Sequence, residues 1–156
     1  MTDAPDIPSR ETIASMSGLE FMRAILDGRL PPAPIAQVLG YALHEVEEGR
    51  VVFRGKAPAQ AYNPIGSVHG GWFGTLLDSC MACAVQTLLP AGRGYTTLEY
   101  KINIVRPVFA DTGPILAVGE AQHVGRRSGV AVGRMIGEQD GKLYATGSTT
   151  CLVFDF

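Results

Sequence analysis

From Trp72 to Leu89 the chain is apolar on every side of a helical wheel, apart from Asp78, Ser79, Gln86 and two threonines. A helix of that composition is buried on all sides. Pro90 and Gly92 close it, because proline cannot continue the hydrogen-bond ladder and glycine suits the turn beyond a helix end. The rest of the chain must therefore wrap around this segment. A bilayer span needs about 18 or more apolar residues, a length the run only just reaches. Asp78 near its middle argues against a span, since a central carboxylate costs about 2.5 to 3.5 kcal/mol and the flanking sequence is patterned as strands.

A buried aspartate is rare unless it is paired, hydrogen-bonded or working, so Asp78 is the most informative residue of the chain. The segment that leads into the helix, NPIGSVHGG, adds to it. At a helix N-terminus the backbone N–H groups lack intrahelical partners and carry positive partial charge, so Gly70 and Gly71 are candidate donors to a carbonyl oxygen. Asn63 adds an amide able to orient water or a carbonyl, and His69 sits at the loop end. Gly70 and Asp78 are eight residues apart, about 12 Å along a helix. A reacting atom has to lie roughly 3 Å from both a base and an oxyanion donor. One subunit cannot supply both, and the expected site therefore crosses a two-fold dimer interface, with Asn63 and Gly70 from one copy and Asp78 from the other.

A chain of 156 residues suits one domain with a sizeable core. Its formal net charge of −2 offers no field for nonspecific nucleic-acid binding. The start, MTDAPDIPSRETIASM, lacks a basic region followed by an apolar run, which leads to the expectation of a cytoplasmic protein without a membrane anchor. Three cysteines make no disulfide framework. Cys80 and Cys83 form a CxxC in the middle of the buried helix, where packing is the natural role, because a redox pair sits at a helix start that stabilises the thiolate.

Residues 1–9 are proline-rich and acidic and read as a loose tail. Ser17 caps a short helix over 17–26, with Leu19, Met22, Ile25 and Leu26 at helical spacing. Gly28 and the prolines at 31, 32 and 34 make a stiff connector, which divides the chain into an arm, 1–34, and a main domain, 35–156. Val38 to Glu47 and Arg50 to Ala57 pair as strands. In Tyr95 to Arg106, Leu98, Tyr100, Ile102 and Ile104 fall on one side and Thr97, Glu99, Lys101 and Asn103 on the other, the pattern of a strand with one buried face. Three more strands follow over 115–124, 130–139 and 142–154, with turns at Gly125–Gly129 and Asp140-Gly141. The fold class is α+β, a curved antiparallel sheet wrapped around one long buried helix. Such a sheet leaves an edge that a second copy would protect.

Asn63, then His69-Gly70-Gly71, then Asp78 nine residues after the histidine, then TTLEYKINIVRP and GRRSG occur in one order and spacing. By these residues the stretch from Val38 to Phe154 resembles the hotdog-fold acyl-CoA thioesterases, particularly the phenylacetate-pathway (PaaI-like) group. The resemblance implies hydrolysis of an acyl-CoA to free acid and coenzyme A, in a dimer or dimer of dimers, with no metal and no cofactor. It assigns the Gly70 N–H to the thioester carbonyl, Asn63 to substrate or water, Asp78 as base or nucleophile, and Thr97 to orienting the attacking water. His69 braces the loop. Arg126, Arg127 and Ser128, with Gly71, are the expected coenzyme A contacts, cations suiting its phosphates. Trp72 and Phe73 read first as core packing and also as candidate lining of an acyl pocket. One branch of the family has glutamate for the carboxylate and a threonine one turn later; here Ala82 stands at that later position, which places the chain with the aspartate branch. Two other readings remain: an acyl-CoA sensor, which needs no carboxylate, and an enoyl-CoA hydratase or dehydratase, one branch of which requires an Asp with a His five residues on, a pairing this sequence lacks.

Overall fold

A computed structural model describes residues 6–156 of the chain. Three short helices come first, α1 (Arg10–Ala14), α2 (Gly18–Leu26) and α3 (Pro34–Leu39), followed by strands β1 (Tyr41–Glu47) and β2 (Arg50–Gly55). A single 3₁₀ turn precedes the long helix α4 (Gly70–Gln86), and β3 (Arg93–Ile104), β4 (Ile115–Val124), β5 (Ser128–Gly137) and β6 (Leu143–Asp155) complete the chain. The strands form one antiparallel sheet in the order β1-β2-β4-β5-β6-β3, curved around α4. This is the hotdog arrangement.

Its centre is the face-to-face packing of α4 on the sheet. Phe73, Leu76, Leu77, Met81 and Val85 are fully buried against Val51, Ile115, Met135 and Cys151, each large side chain contributing about 1.5 to 3 kcal/mol on leaving water. The two backbones come close because β4 carries glycine where the helix crosses it. A Cβ at Gly119 would run into the Cys80 carbonyl. His69 caps the start of α4, its Nδ1 accepting from the Gly71 N–H at 2.9 Å. Thr87 closes the other end, donating to the Ala84 carbonyl at 2.7 Å and accepting from the Gly49 N–H at 2.8 Å. No described helix is long and apolar enough to cross a membrane.

Four local expectations change. Helix α4 begins at Gly70 and ends at Gln86, before Leu89, because the last apolar residues form the turn that receives the arm: the Gly18 N–H donates to the Leu89 carbonyl at 2.9 Å. The proline connector contains a helix, with Pro34 at its first position where a missing N–H costs nothing; Val38 is therefore helical and β1 starts at Tyr41. The tail expected over 1–9 lies outside the described residues for 1–5, while Ser9 caps the additional helix α1. The fourth is the face of β3. Its pairing with β6 slips between Thr97 and Glu99, and a bulge of this kind reverses the inside–outside alternation beyond it. Thr97 consequently shares the helix-facing side with Tyr100, Ile102 and Ile104, and Leu98 is turned out, 61% exposed.

Replacing Gly119 by alanine forces α4 off the sheet. The expected loss is about 1 to 3 kcal/mol or more, read as a lower midpoint in urea unfolding, and an unchanged midpoint would show that the helix tolerates a wider separation.

Candidate active site

Asp78 occupies the third turn of α4, half-buried. Its Oδ1 accepts a hydrogen bond from the Thr97 hydroxyl at 2.9 Å. The bulge in β3 makes that contact, since strict alternation would turn Thr97 away from the helix. Among the described residues no protein donor engages the other carboxylate oxygen, so one oxygen is anchored and one is available to a water. Beside it Ser79 bonds the Tyr41 hydroxyl at 3.1 Å. Asp78, Ser79, Ala82 and Gln86 all face one cavity of about 440 Å³. Its other walls come from β1, β2, Tyr95, Thr97 and the N-terminal arm.

The loop before α4 is braced from within. Asn63 Oδ1 accepts from the N–H groups of Ile65 at 3.0 Å and Ser67 at 3.3 Å, while its Nδ2 donates to the Ser67 hydroxyl at 2.8 Å. His69 uses Nδ1 on Gly71. Of the two glycine donors expected here, Gly71 is thus occupied, whereas the Gly70 N–H has no protein acceptor among the described residues. Both Gly70 and Asp78 belong to one unbroken helix, so their separation of about 12 Å is fixed. Within a chain they do not meet.

Arg126, Arg127 and Ser128 are exposed at the β4–β5 turn. The two arginines line a surface cleft that shares no residue with the Asp78 cavity, and Arg93 joins them. Arg93 donates to the Arg126 carbonyl and pairs with Asp155 at 2.9 Å, tying the turn to the ends of β3 and β6. Nothing local in the sequence marks Arg93, which reaches the turn only through strand pairing. Trp72 and Phe73 do not line the Asp78 cavity. They are 2% and 1% exposed in the core, and the Trp72 indole N–H donates to the Leu39 carbonyl at 2.8 Å. Ser79, Ala82 and Gln86, one, four and eight positions after Asp78, were legible as its helical neighbours; the cavity walls supplied by Phe21, Ile25, Tyr41 and Phe53 were not.

The Thioesterase superfamily model matches residues 65–144, which include Gly70, Asp78, Thr97 and Arg126. The chain belongs to the thioesterase superfamily. A phenylacetic acid degradation-related protein from Ralstonia eutropha is 30% identical to this thioesterase over 85% of the present chain and 98% of its own, with a TM-score of 0.75. The Escherichia coli PaaI protein from the phenylacetic acid degradation operon superimposes with a TM-score of 0.75 at 24% identity, over 90% and 96% of the two chains. A thioesterase from Haemophilus influenzae does so at 0.71 and 22%, over 78% and 82%. The latter two likenesses are of fold. No curated protein matches. The thioesterase is accordingly a thioester hydrolase of PaaI-like type.

Its cysteines are packed in the core or, for Cys83, at the cavity wall. Burial pushes the Cys80 thiol up from the ordinary 9.0 and raises Cys83 to about 12. A raised thiol pKa keeps the proton on to higher pH, so at pH 8 both are neutral and poor nucleophiles. The folded thioesterase is expected to react slowly with an aromatic disulfide reagent at pH 8, and all three thiols to react promptly after denaturation; rapid reaction of the folded protein would contradict this.

Proposed function

We propose that the thioesterase hydrolyses an acyl-CoA to a free carboxylic acid and coenzyme A, with each active site shared between two copies of the chain. The observation that carries the reading is the Thr97–Asp78 hydrogen bond at the wall of an apolar cavity, on the same helix as the unoccupied N–H of Gly70. The Gly70 N–H of one copy polarises the thioester carbonyl, and Asp78 of the other takes a proton from water as its oxygen attacks the carbonyl carbon. The C–S bond then breaks, and the coenzyme A thiolate leaves and takes up a proton. Direct attack by Asp78, giving an anhydride that water opens, uses the same groups. A general base supplies about 10² to 10⁴-fold and one oxyanion donor about 10² to 10³-fold. Asn63 and His69 serve by fixing the loop that aims Gly70, and Thr97 by fixing Asp78.

The edge strand β3 supports a second copy. Among the described residues it pairs only with β6, and beside its other edge Leu98, Tyr100, Ile104 and Val105 are 61%, 46%, 44% and 59% exposed, an apolar surface of the kind dimers cover. Such dimers would pair again as a dimer of dimers. The arginines at the β4–β5 turn suit the phosphates of coenzyme A, with Ser128 and Gly71 as neighbouring contacts. This reading makes residues 35–156 the catalytic domain, acting in the cytoplasm.

Thiol release from a panel of acyl-CoAs should fall at least about 100-fold in Asp78→Ala. A mixed-dimer test addresses the shared site. Proline is favoured at the first position of a helix, and His69, with ψ of 141°, already has the extended backbone that a following proline requires. Gly70→Pro thus deletes the donor while keeping the helix start. Each variant alone is expected to be inactive, and co-refolding equal amounts of Gly70→Pro and Asp78→Ala to restore about a quarter of wild-type activity, since half the dimers are hybrids with one intact site of two. No restoration would place both groups' work within one chain. A wild type that binds acyl-CoAs yet releases no thiol is a sensor.

A further inference from the structure

The cavity beside Asp78 has a second wall that belongs to none of the groups just described. About half of its lining comes from the N-terminal arm between Ile7 and Pro34, with Phe21 and Ile25 of α2 sharing the cavity with Ala82 and Gln86 of α4. The arm is firmly docked. Ser17 and Glu20 form a reciprocal cap at the start of α2, with the Ser17 N–H donating to Glu20 at 2.8 Å. Gly18 lies so close to Gln86 that a Cβ would strike its carbonyl. The Gly92 N–H donates to the Ala14 carbonyl at 2.8 Å, and Arg10 lies over the Phe156 ring, 5.8 Å from its centre. A roof held this way keeps a void open over the carboxylate instead of collapsing into it.

We infer that the space between the arm and α4 receives the acyl group, that the arm sets acyl specificity, and that the substrate's acyl group is uncharged and larger than a short chain. This rests on the proposed thioester hydrolysis. A cavity of about 150 Å³ holds a benzene, and this one, at about 440 Å³, has room for an aryl-alkanoyl or medium-chain acyl group. Among the described residues no Lys, Arg or His lines it, and its one charge is that of Asp78. An acyl group ending in a carboxylate would meet no cation and one like charge. The division of labour follows: one copy contributes base and acyl pocket, and its partner the oxyanion donor.

Ile25 is only partly buried and lies on the arm, away from the α4–sheet core, so the variants Ile25→Trp and Ile25→Ala test the pocket without disturbing that core. The readout is the ratio of kcat/KM for octanoyl-CoA to that for acetyl-CoA, with calorimetric binding of octanamide, an uncharged stand-in for the acyl group, as a second measurement. Because each methylene in an apolar pocket discriminates about 10- to 200-fold at best, Ile25→Trp is expected to lower the ratio at least about tenfold and weaken octanamide binding, and Ile25→Ala to shift the ratio toward longer chains. Wild type should hydrolyse succinyl-CoA on the order of 10²-fold or more below butyryl-CoA. Active wild type with a ratio unmoved by both variants, or equal rates on succinyl and butyryl thioesters, overturns the inference. A wild type that releases no thiol from any substrate but binds octanamide, more weakly after Ile25→Trp, overturns the hydrolase and leaves the pocket standing.

Discussion

Helix α4 is enclosed by the sheet on one side and the arm on the other, and it has no freedom to move its own parts relative to one another. Its rise fixes Asp78 about 12 Å from the start of the helix, and the close backbone contact at Gly119 fixes the helix against β4. The two proposed catalytic groups of α4 are placed along this rigid rod, an N–H at one end and a carboxylate in the middle, with a continuous face of Asp78, Ser79, Ala82 and Gln86 along which a cavity opens. A site drawing on both groups must therefore be completed by symmetry. The helix cannot bend to do it.

The β3 bulge illustrates how a small backbone irregularity is spent on function and leaves a trace elsewhere. Without it Thr97 would point away from α4 and Asp78 would lose its fixed partner. With it the strand's apolar residues change register, and Leu98 is left on the surface beside a free sheet edge. The same feature that orients the carboxylate thus helps create the apolar surface that favours a second copy. The anchoring of Asp78 and the exposure of Leu98 both depend on one insertion in one strand.

The sequence carried the fold well because its strongest signal, an all-round apolar helix bounded by His69 and Pro90, is also the structure's centre. Asp78 and the Gly70 N–H stood out as candidates from local chemistry, while the bracing of the loop by His69, seen in its hydrogen bond with the Gly71 N–H, came with the family resemblance. Thr97 was reached through family resemblance, while the alternation pattern placed it on the wrong face, since a bulge leaves no periodic signature in a run of alternating side chains. Trp72 and Phe73 carried two readings, core packing and acyl-pocket lining, and a helix buried all round gives aromatic residues near its start to the core, where both lie. Arg93 and the arm's contribution to the cavity depend on pairings between residues far apart in sequence, and nothing local encodes them.

The arm also bears on why an aspartate can stand in this helix at all. A carboxylate in a fully packed apolar core would need a cation or several donors. Among the described residues Asp78 has one donor, Thr97, and it stands beside a void. Docking of α2 over α4 leaves space instead of side chains against that face, so the carboxylate keeps access to water while its helix remains buried elsewhere. Had the arm packed tightly onto Ala82 and Asp78, the helix would gain apolar contact but the carboxylate would lose its hydration. The loosely filled roof is therefore a condition for a tolerable charge, and the same unfilled space is what an apolar acyl group can enter.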